Sequence, residues 1–313
     1  MTEPAAIPAS IVCAYLYVIS RYGYPPPAEN TPAYLEQMHA LGFKSVELEG
    51  IRRDHLLAMV DRREEIAAKV AALGLRVPYF CIVLPGLAAA EAGERAENLR
   101  LFEKGCQIAA RLGARGVLDN APLPPYVFPN DIPIVRHYEE ETLHAAHFPP
   151  RLSWPVYWRE MAATYGAACD IAAGFGLTYQ MHPCLGVLAA TTDGFLYLRD
   201  AVARDNLRFN LDTANQFVLK DNLALSLRRL AGSIDYIHLS DNRGARVEHL
   251  PPGQGVINWP VFFDTLNLIG FEGEIGLDIG GEESAVGDID AAYSQAAAWL
   301  AARWPGRNDG DSV

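Results

Sequence analysis

Short apolar or β-branched runs recur along the chain at 11–17 (IVCAYLY), 43–48 (FKSVEL), 75–83 (LRVPYFCIV), 114–118 (ARGVL), 177–182 (LTYQMH), 207–212 (LRFNLD), 234–240 (IDYIHLS) and 273–279 (GEIGLDI). Their lengths and residue types are those of buried strands. Between them the apolar positions take up helical spacing, over 32–41, 54–73, 91–112, 155–175, 192–204, 222–231, 259–269 and 289–303. Gly42, Gly74, Gly113, Gly176 and Gly270 follow directly on five of these segments, where a left-handed residue ends a helix. Eight strand-helix units in series predict an α/β fold closed into a single (β/α)8 (TIM) barrel, because closure leaves no unpaired edge. A doubly wound open sheet would carry a glycine-rich phosphate loop after its first strand, and CAYLYVISRYGYPPP is no such loop. The barrel is expected to span residues 1–305, with 306–313 as a flexible tail.

The fourth and fifth strands are separated by an unusually long stretch, 120–154, rich in proline and aromatic residues. That composition suits an inserted lid at the C-terminal mouth better than a plain barrel helix. Its aromatics, with His144 and His147, are placed to face a ligand. They serve equally well to pack the lid onto the barrel or onto a neighbouring subunit of a homo-oligomer.

Composition narrows the partners. Half of the 313 residues are hydrophobic and a fifth charged, as in an ordinary globular chain. A net charge of -12 and a pI near 5.1 argue against nucleic acid and anionic membrane surfaces, which are held by clustered Lys and Arg. Cys13, Cys81, Cys106, Cys169 and Cys184 form no C-x-x-C pair and read as reduced, buried thiols. There is neither a basic-then-apolar leader nor an apolar stretch long enough to span a bilayer, so the expected location is cytoplasmic.

Candidate chemistry sits at the C-terminal ends of the last four strands. Gln180 and His182 are two apart and share a strand face, Asp212 closes the sixth strand, and His238 and Asp278 lie in the seventh and eighth. Any one of these could be a core polar group satisfied by hydrogen bonds. Buried carboxylates arriving together with imidazoles favour one divalent metal ion instead.

The stretches YQMHP, LDTAN, HLSDNRG, PPGQGVINW and FEGEIGLDIGG resemble the second half of the xylose-isomerase-like barrel superfamily, the sugar isomerase/epimerase and endonuclease IV type. The resemblance implies that the last four strands supply a Glu, an Asp, a His and a second Glu to one Mn, Mg, Zn or Co ion, and that the substrate is a small carbohydrate. By position these fall on Gln180, Asp212, His238 and Asp278. Two of the four thus depart from the pattern, as does Asn215 where a His often follows the Asp. In epimerases of this family the two metal-bound glutamates act as acid and base on opposite substrate faces. An amide cannot accept a proton at neutral pH, so Gln180 could ligate but not act as base. A one-sided reaction follows: proton abstraction beside the carbonyl of a keto-sugar or keto-glycoside, with isomerisation or β-elimination, His182 serving as base and Asp278 as the second catalytic group. Expected substrate-binding residues are Glu49 (with Glu47 at the same strand end), His144, His147, Trp158, Asp241 and Arg243. In PPGQGVINWP, Asn258 reads as a helix N-cap ahead of Pro260. The alternatives are a ketose 3-epimerase, a non-catalytic sugar-binding barrel, and an endonuclease. The last would require further metal ligands and a basic groove that this acidic chain lacks.

Overall fold

Each apolar run contributes one strand of a closed parallel ring: Ile11–Cys13 (β1), Ser45–Val46 with Leu48–Ile51 (β2), Tyr79–Val83 (β3), Gly116–Asn120 (β4), Thr178–His182 (β5), Leu207–Phe209 with Leu211–Asp212 (β6), Tyr236–Leu239 (β7) and Glu274–Leu277 (β8). The computed structural model describes residues 7–129 and 137–304. Residues 1–6, 130–136 and 305–313, among them the expected tail and part of the expected lid, lie outside the described residues.

Pairing runs parallel from β1 through β8, and β8 pairs back onto β1 through Ile11 opposite Ile275. Closure depends on β2 and β6, each of which is interrupted once and pairs with a different neighbour on either side of the break. At Glu47 the backbone N–H still donates to Cys13 O at 2.9 Å, and at Asn210 it donates to Met181 O at 3.0 Å, so the ring is hydrogen-bonded through both interruptions. Asn210 also donates its amide to Tyr236 O at 3.1 Å.

The helical shell follows the predicted rhythm, and Gly42, Gly74, Gly113, Gly176 and Gly270 all have positive φ, from 62° to 93°. Three differences have local causes. The run 11–17 leaves the strand after Cys13 and forms a helix over Leu16–Tyr22; its side chains are buried in either state, so hydrophobicity alone does not separate them. The run 75–83 becomes strand only at Tyr79, after Pro78, which has no N–H to give to a ladder. The 54–73 segment divides into Arg52–Asp61 and Arg63–Ala72, with Arg62 off helical geometry between them.

Strand parity divides the interior into layers. Thr178, Gln180 and His182 share the inner face of β5, one above another. Below the mouth, Tyr79 and Tyr236 stack at 4.3 Å, and the Tyr236 ring reaches across to Gly276 of β8, where a Cβ would come within 2.3 Å of its hydroxyl. At the N-terminal end, Arg76, Arg115, Asp235 and Glu274 line a cavity of about 560 Å³. Arg115 pairs there with Glu274 at 2.6 Å. The described part of the 120–154 insertion is tied by a two-way backbone bridge between Val127 and His147, carries a short helix over Glu140–Ala145, and packs Tyr126 against Phe128 and Phe148. All five cysteines are buried and outside any disulfide, and among the described residues no helix is long and apolar enough to cross a membrane.

Candidate metal centre

Four side chains, one from each end of β5, β6, β7 and β8, meet at the mouth: His182, Asp212, His238 and Asp278. His182 Nε2 lies 3.1 Å from Asp212 Oδ2, and the Asp212 Oδ1 accepts the Asn215 N–H at 2.7 Å, the helix N-cap bond that fixes the carboxylate. The ring centroids of His182 and His238 are 5.1 Å apart. A fifth group, His249, enters from the loop after β7 with its Nδ1 3.2 Å from Asp278 Oδ2. The candidate ligand atoms form two triads, His182–Asp212–His238 and Asp212–His249–Asp278, with Asp212 common to both and all atoms of each triad within 4.8 Å of one another.

Burial sets the protonation. It pushes the His182 pKa down, and the neighbouring Asp212 carboxylate only partly reverses this. Burial alone would raise the Asp212 carboxyl, but the His182 hydrogen bond and the His249 and His182 rings outweigh it and hold the group below the usual carboxylate range. The pair is therefore neutral His182 donating Nε2–H to an ionised Asp212. For His238, burial is overcome by the Glu47 and Asp278 carboxylates, which lift it to about 9. Its Nε2 lies 2.9 Å from Glu47 Oε2, while the other Glu47 oxygen accepts the Tyr15 N–H at 3.2 Å.

Two observations test the fit to a metal. The buried Nδ1 atoms of His182 and His238 have no hydrogen-bond partner, an expensive state for polar atoms inside a protein unless a cation takes them. The donor set, imidazoles and carboxylates backed by a carboxylate on the far nitrogen of His238, is that of a transition-metal site with its outer support in place. The residues fit a divalent ion; in the metal-free protein, the proton on His238 must leave before a cation binds its Nδ1.

The strand-five position differs from the sequence expectation. Gln180 sits two residues deeper than His182, about 6.6 Å along the strand. Its amide donates to Thr178 Oγ1 at 3.0 Å and to Asp235 Oδ2 at 3.3 Å, toward the N-terminal end. Equal parity put both side chains on the inner face, and depth separates them. His182, and not Gln180, is the strand-five side chain that meets Asp212 and His238 at the mouth.

Among the expected substrate-binding residues, Glu49 lines the mouth together with Tyr24, Asn120, His137 and Cys184. His144 and His147 are exposed on the insertion, and Trp158 stacks on Tyr197 at 4.7 Å on the helical shell. Asp241 is a structural knot that accepts N–H groups from Gly253 (2.7 Å), Ile257 (3.2 Å) and the Trp259 indole (2.9 Å). A Cβ on Gly255 would come 2.2 Å from its carboxylate, which explains the glycine there. Arg243 pairs with Glu248 at 2.8 Å. Asn258 caps its helix as expected, accepting the Val261 N–H. His137, His249 and Glu283 were not foreseen; they come from loops, where no periodicity marks a residue's direction.

An eight-stranded α/β barrel with metal-type donors converging on its C-terminal mouth defines the class of protein. Residues 35–303 match the xylose isomerase-like TIM barrel family, and the chain belongs to that family. It is 23% identical over 283 residues to the L-ribulose-5-phosphate 3-epimerase UlaE of Escherichia coli, covering 86% of this chain and 88% of that one. Among solved structures it superposes on the 3-keto-D-glucoside 4-epimerase YcjR of Escherichia coli with a TM-score of 0.71 at 18% identity, over 94% of this chain and all of that one. It also superposes on the IolI protein with a bound zinc atom, with a TM-score of 0.66 at 16% identity over 94% and 99% of the two chains. These two likenesses show the shared fold.

Proposed function

We propose that this chain is a divalent-metal-dependent enzyme of the sugar isomerase and epimerase kind, acting beside the carbonyl of a keto-sugar or keto-glycoside. The observation that carries the reading is the convergence of His182, Asp212, His238 and Asp278 from four successive strand ends, with two buried ring nitrogens lacking partners. A divalent ion held by these four would supply Lewis acidity toward the substrate's keto oxygen. The sugar epimerases among the relatives supply the substrate class.

The residues then divide the work. His182, neutral and anchored on Asp212, contributes a ring nitrogen as ligand and is no longer free to accept a proton. Asp278 is the carboxylate left at the family's acid-base positions, and it takes the proton from the carbon next to the carbonyl; His249, 3.2 Å away, orients it. Glu49, at the mouth, binds substrate hydroxyls. One competent base favours a one-sided outcome, isomerisation or β-elimination, over two-base epimerisation. The test is elemental analysis of purified protein followed by incubation with 3-keto-glycosides and ketoses in deuterated water. The expected result is about one bound transition ion at the mouth and deuterium entering the carbon next to the carbonyl. Absence of both exchange and turnover across the panel in metal-replete protein overturns the enzymatic reading and leaves a sugar-binding barrel.

A further inference from the structure

A second group of donors stands beside the first. His249 reaches Asp278 through its Nδ1, and its Nε2 points away from the four-residue centre, 3.9 Å from Glu283 Oε1 in the turn after β8. The same Glu283 oxygen is 3.4 Å from His137 Nε2, contributed by the described end of the insertion. The His137 and His249 rings lie nearly parallel, 16° apart with centroids at 5.5 Å, and ligand atoms of the three residues lie within 4.8 Å of one another. His249 is fully buried, and the side chains of His137 and Glu283 are 15% and 21% exposed, so the group is sheltered without being sealed.

Separations of 3.4 and 3.9 Å are long for hydrogen bonds. They are close to the spacing of two ligands on one tetrahedral ion, about 3.3–3.4 Å when each donor is roughly 2.0–2.1 Å from the metal. His249 is set for this role from the other side. Its Nδ1 lies 3.1 Å from the Ser240 hydroxyl and 3.2 Å from the Asp278 carboxylate, so the ring is held from behind with Nε2 on the Glu283 side, as outer partners orient a metal-binding imidazole.

We propose that His137, His249 and Glu283 form a second divalent-cation site, suited to a borderline ion such as zinc and distinct from the four-residue centre. Two imidazoles and one carboxylate are three of the four ligands a tetrahedral zinc ion takes. Because His137 belongs to the described end of the insertion while His249 and Glu283 belong to barrel loops, the ion ties that end to the barrel rim. The site goes beyond the proposed activity, which requires only the first ion.

The test is zinc stoichiometry on the full chain, stripped with chelator, retitrated with Zn²⁺ and measured calorimetrically and by elemental analysis. Circular dichroism and thermal melts check that each variant is folded. The expected result is two zinc ions per chain for the parent, one for His137→Ala, one for Glu283→Gln, one for Asp212→Asn, and none for Asp212→Asn combined with Glu283→Gln. A parent that saturates at one ion, lost in Asp212→Asn but kept in Glu283→Gln, overturns the second site and leaves the first standing. Two ions retained in both His137→Ala and Glu283→Gln overturn it as well. One ion lost in Glu283→Gln but kept in Asp212→Asn upholds the second site and removes the first.

Discussion

Glu47 holds His238 from behind: its carboxylate oxygen lies 2.9 Å from His238 Nε2, and the opposite ring nitrogen is left buried without a partner. A carboxylate in that position fixes the tautomer of an imidazole ligand and strengthens it as a donor. Glu47→Gln is therefore expected to weaken metal affinity at the mouth on the order of 10- to 100-fold, the loss associated with removal of such a support. Competition against a chromophoric chelator checks it; unchanged affinity would place Glu47 outside the metal's support.

His182→Ala and Asp278→Asn should separate ligand from base. The first is expected to lower metal affinity in proportion to its loss of turnover. The second keeps an oxygen donor, and is expected to bind metal while losing deuterium exchange on the order of 100-fold or more, as for a missing general base. Measuring metal content and exchange in the same preparations decides between them. His182→Ala with full metal and no exchange would return the base to His182.

Gln180→Glu tests the depth assignment. Its amide is 3.3 Å from the Asp235 carboxylate in the layer beneath the mouth, so a new carboxylate there is buried against a like charge. We expect unchanged metal stoichiometry at the mouth and a loss of stability on the order of 2 kcal/mol, read by urea denaturation. A variant of parental stability that binds the ion more tightly would move Gln180 into the coordination shell.

Acid stability should report His55. Burial lowers its pKa from the ordinary histidine value to about 4, with only partial relief from the Pro26 carbonyl and Glu29, and its Nδ1 accepts the Ile51 N–H at 3.0 Å. The folded state thus requires the neutral ring. The folded pKa lies below the unfolded one, so this contribution is fully present above about pH 6.5 and is lost as pH falls toward 4. Denaturation midpoints at pH 7, 5.5 and 4.5 should fall more steeply for the parent than for His55→Asn; equal slopes would mean that the ring is charged in the folded protein.

Much of this was legible in the chain. Asp212, His238 and Asp278 are polar residues at the ends of apolar strands, and strand period with chain order brings them to one rim. The period gives a face but not a depth, so it could not tell that His182 reaches Asp212 while Gln180 turns toward Thr178 and Asp235. It is silent on loops, so His137, His249 and Glu283 carried no mark. Asp241 shows the reverse case: a polar residue in the expected place whose carboxylate is consumed by the backbone N–H groups of Asn242, Gly253 and Ile257 and the Trp259 indole N–H. The helix over Leu16–Tyr22 was hidden because its apolar side chains are buried whatever the backbone does.

The ring of strands, carried through its two interruptions by Glu47 and Asn210, also governs how copies of this chain can meet. Every strand has a neighbour on both sides, so the barrel offers no ladder of free amides and carbonyls on which a second molecule could add a strand. Among the described residues, the surfaces left for contact between copies are side chains of the helical shell and of the proline-rich insertion. Phe148 and Trp154, 6.1 Å apart between ring centres, are with Val127 the large apolar side chains exposed on the described part of that insertion.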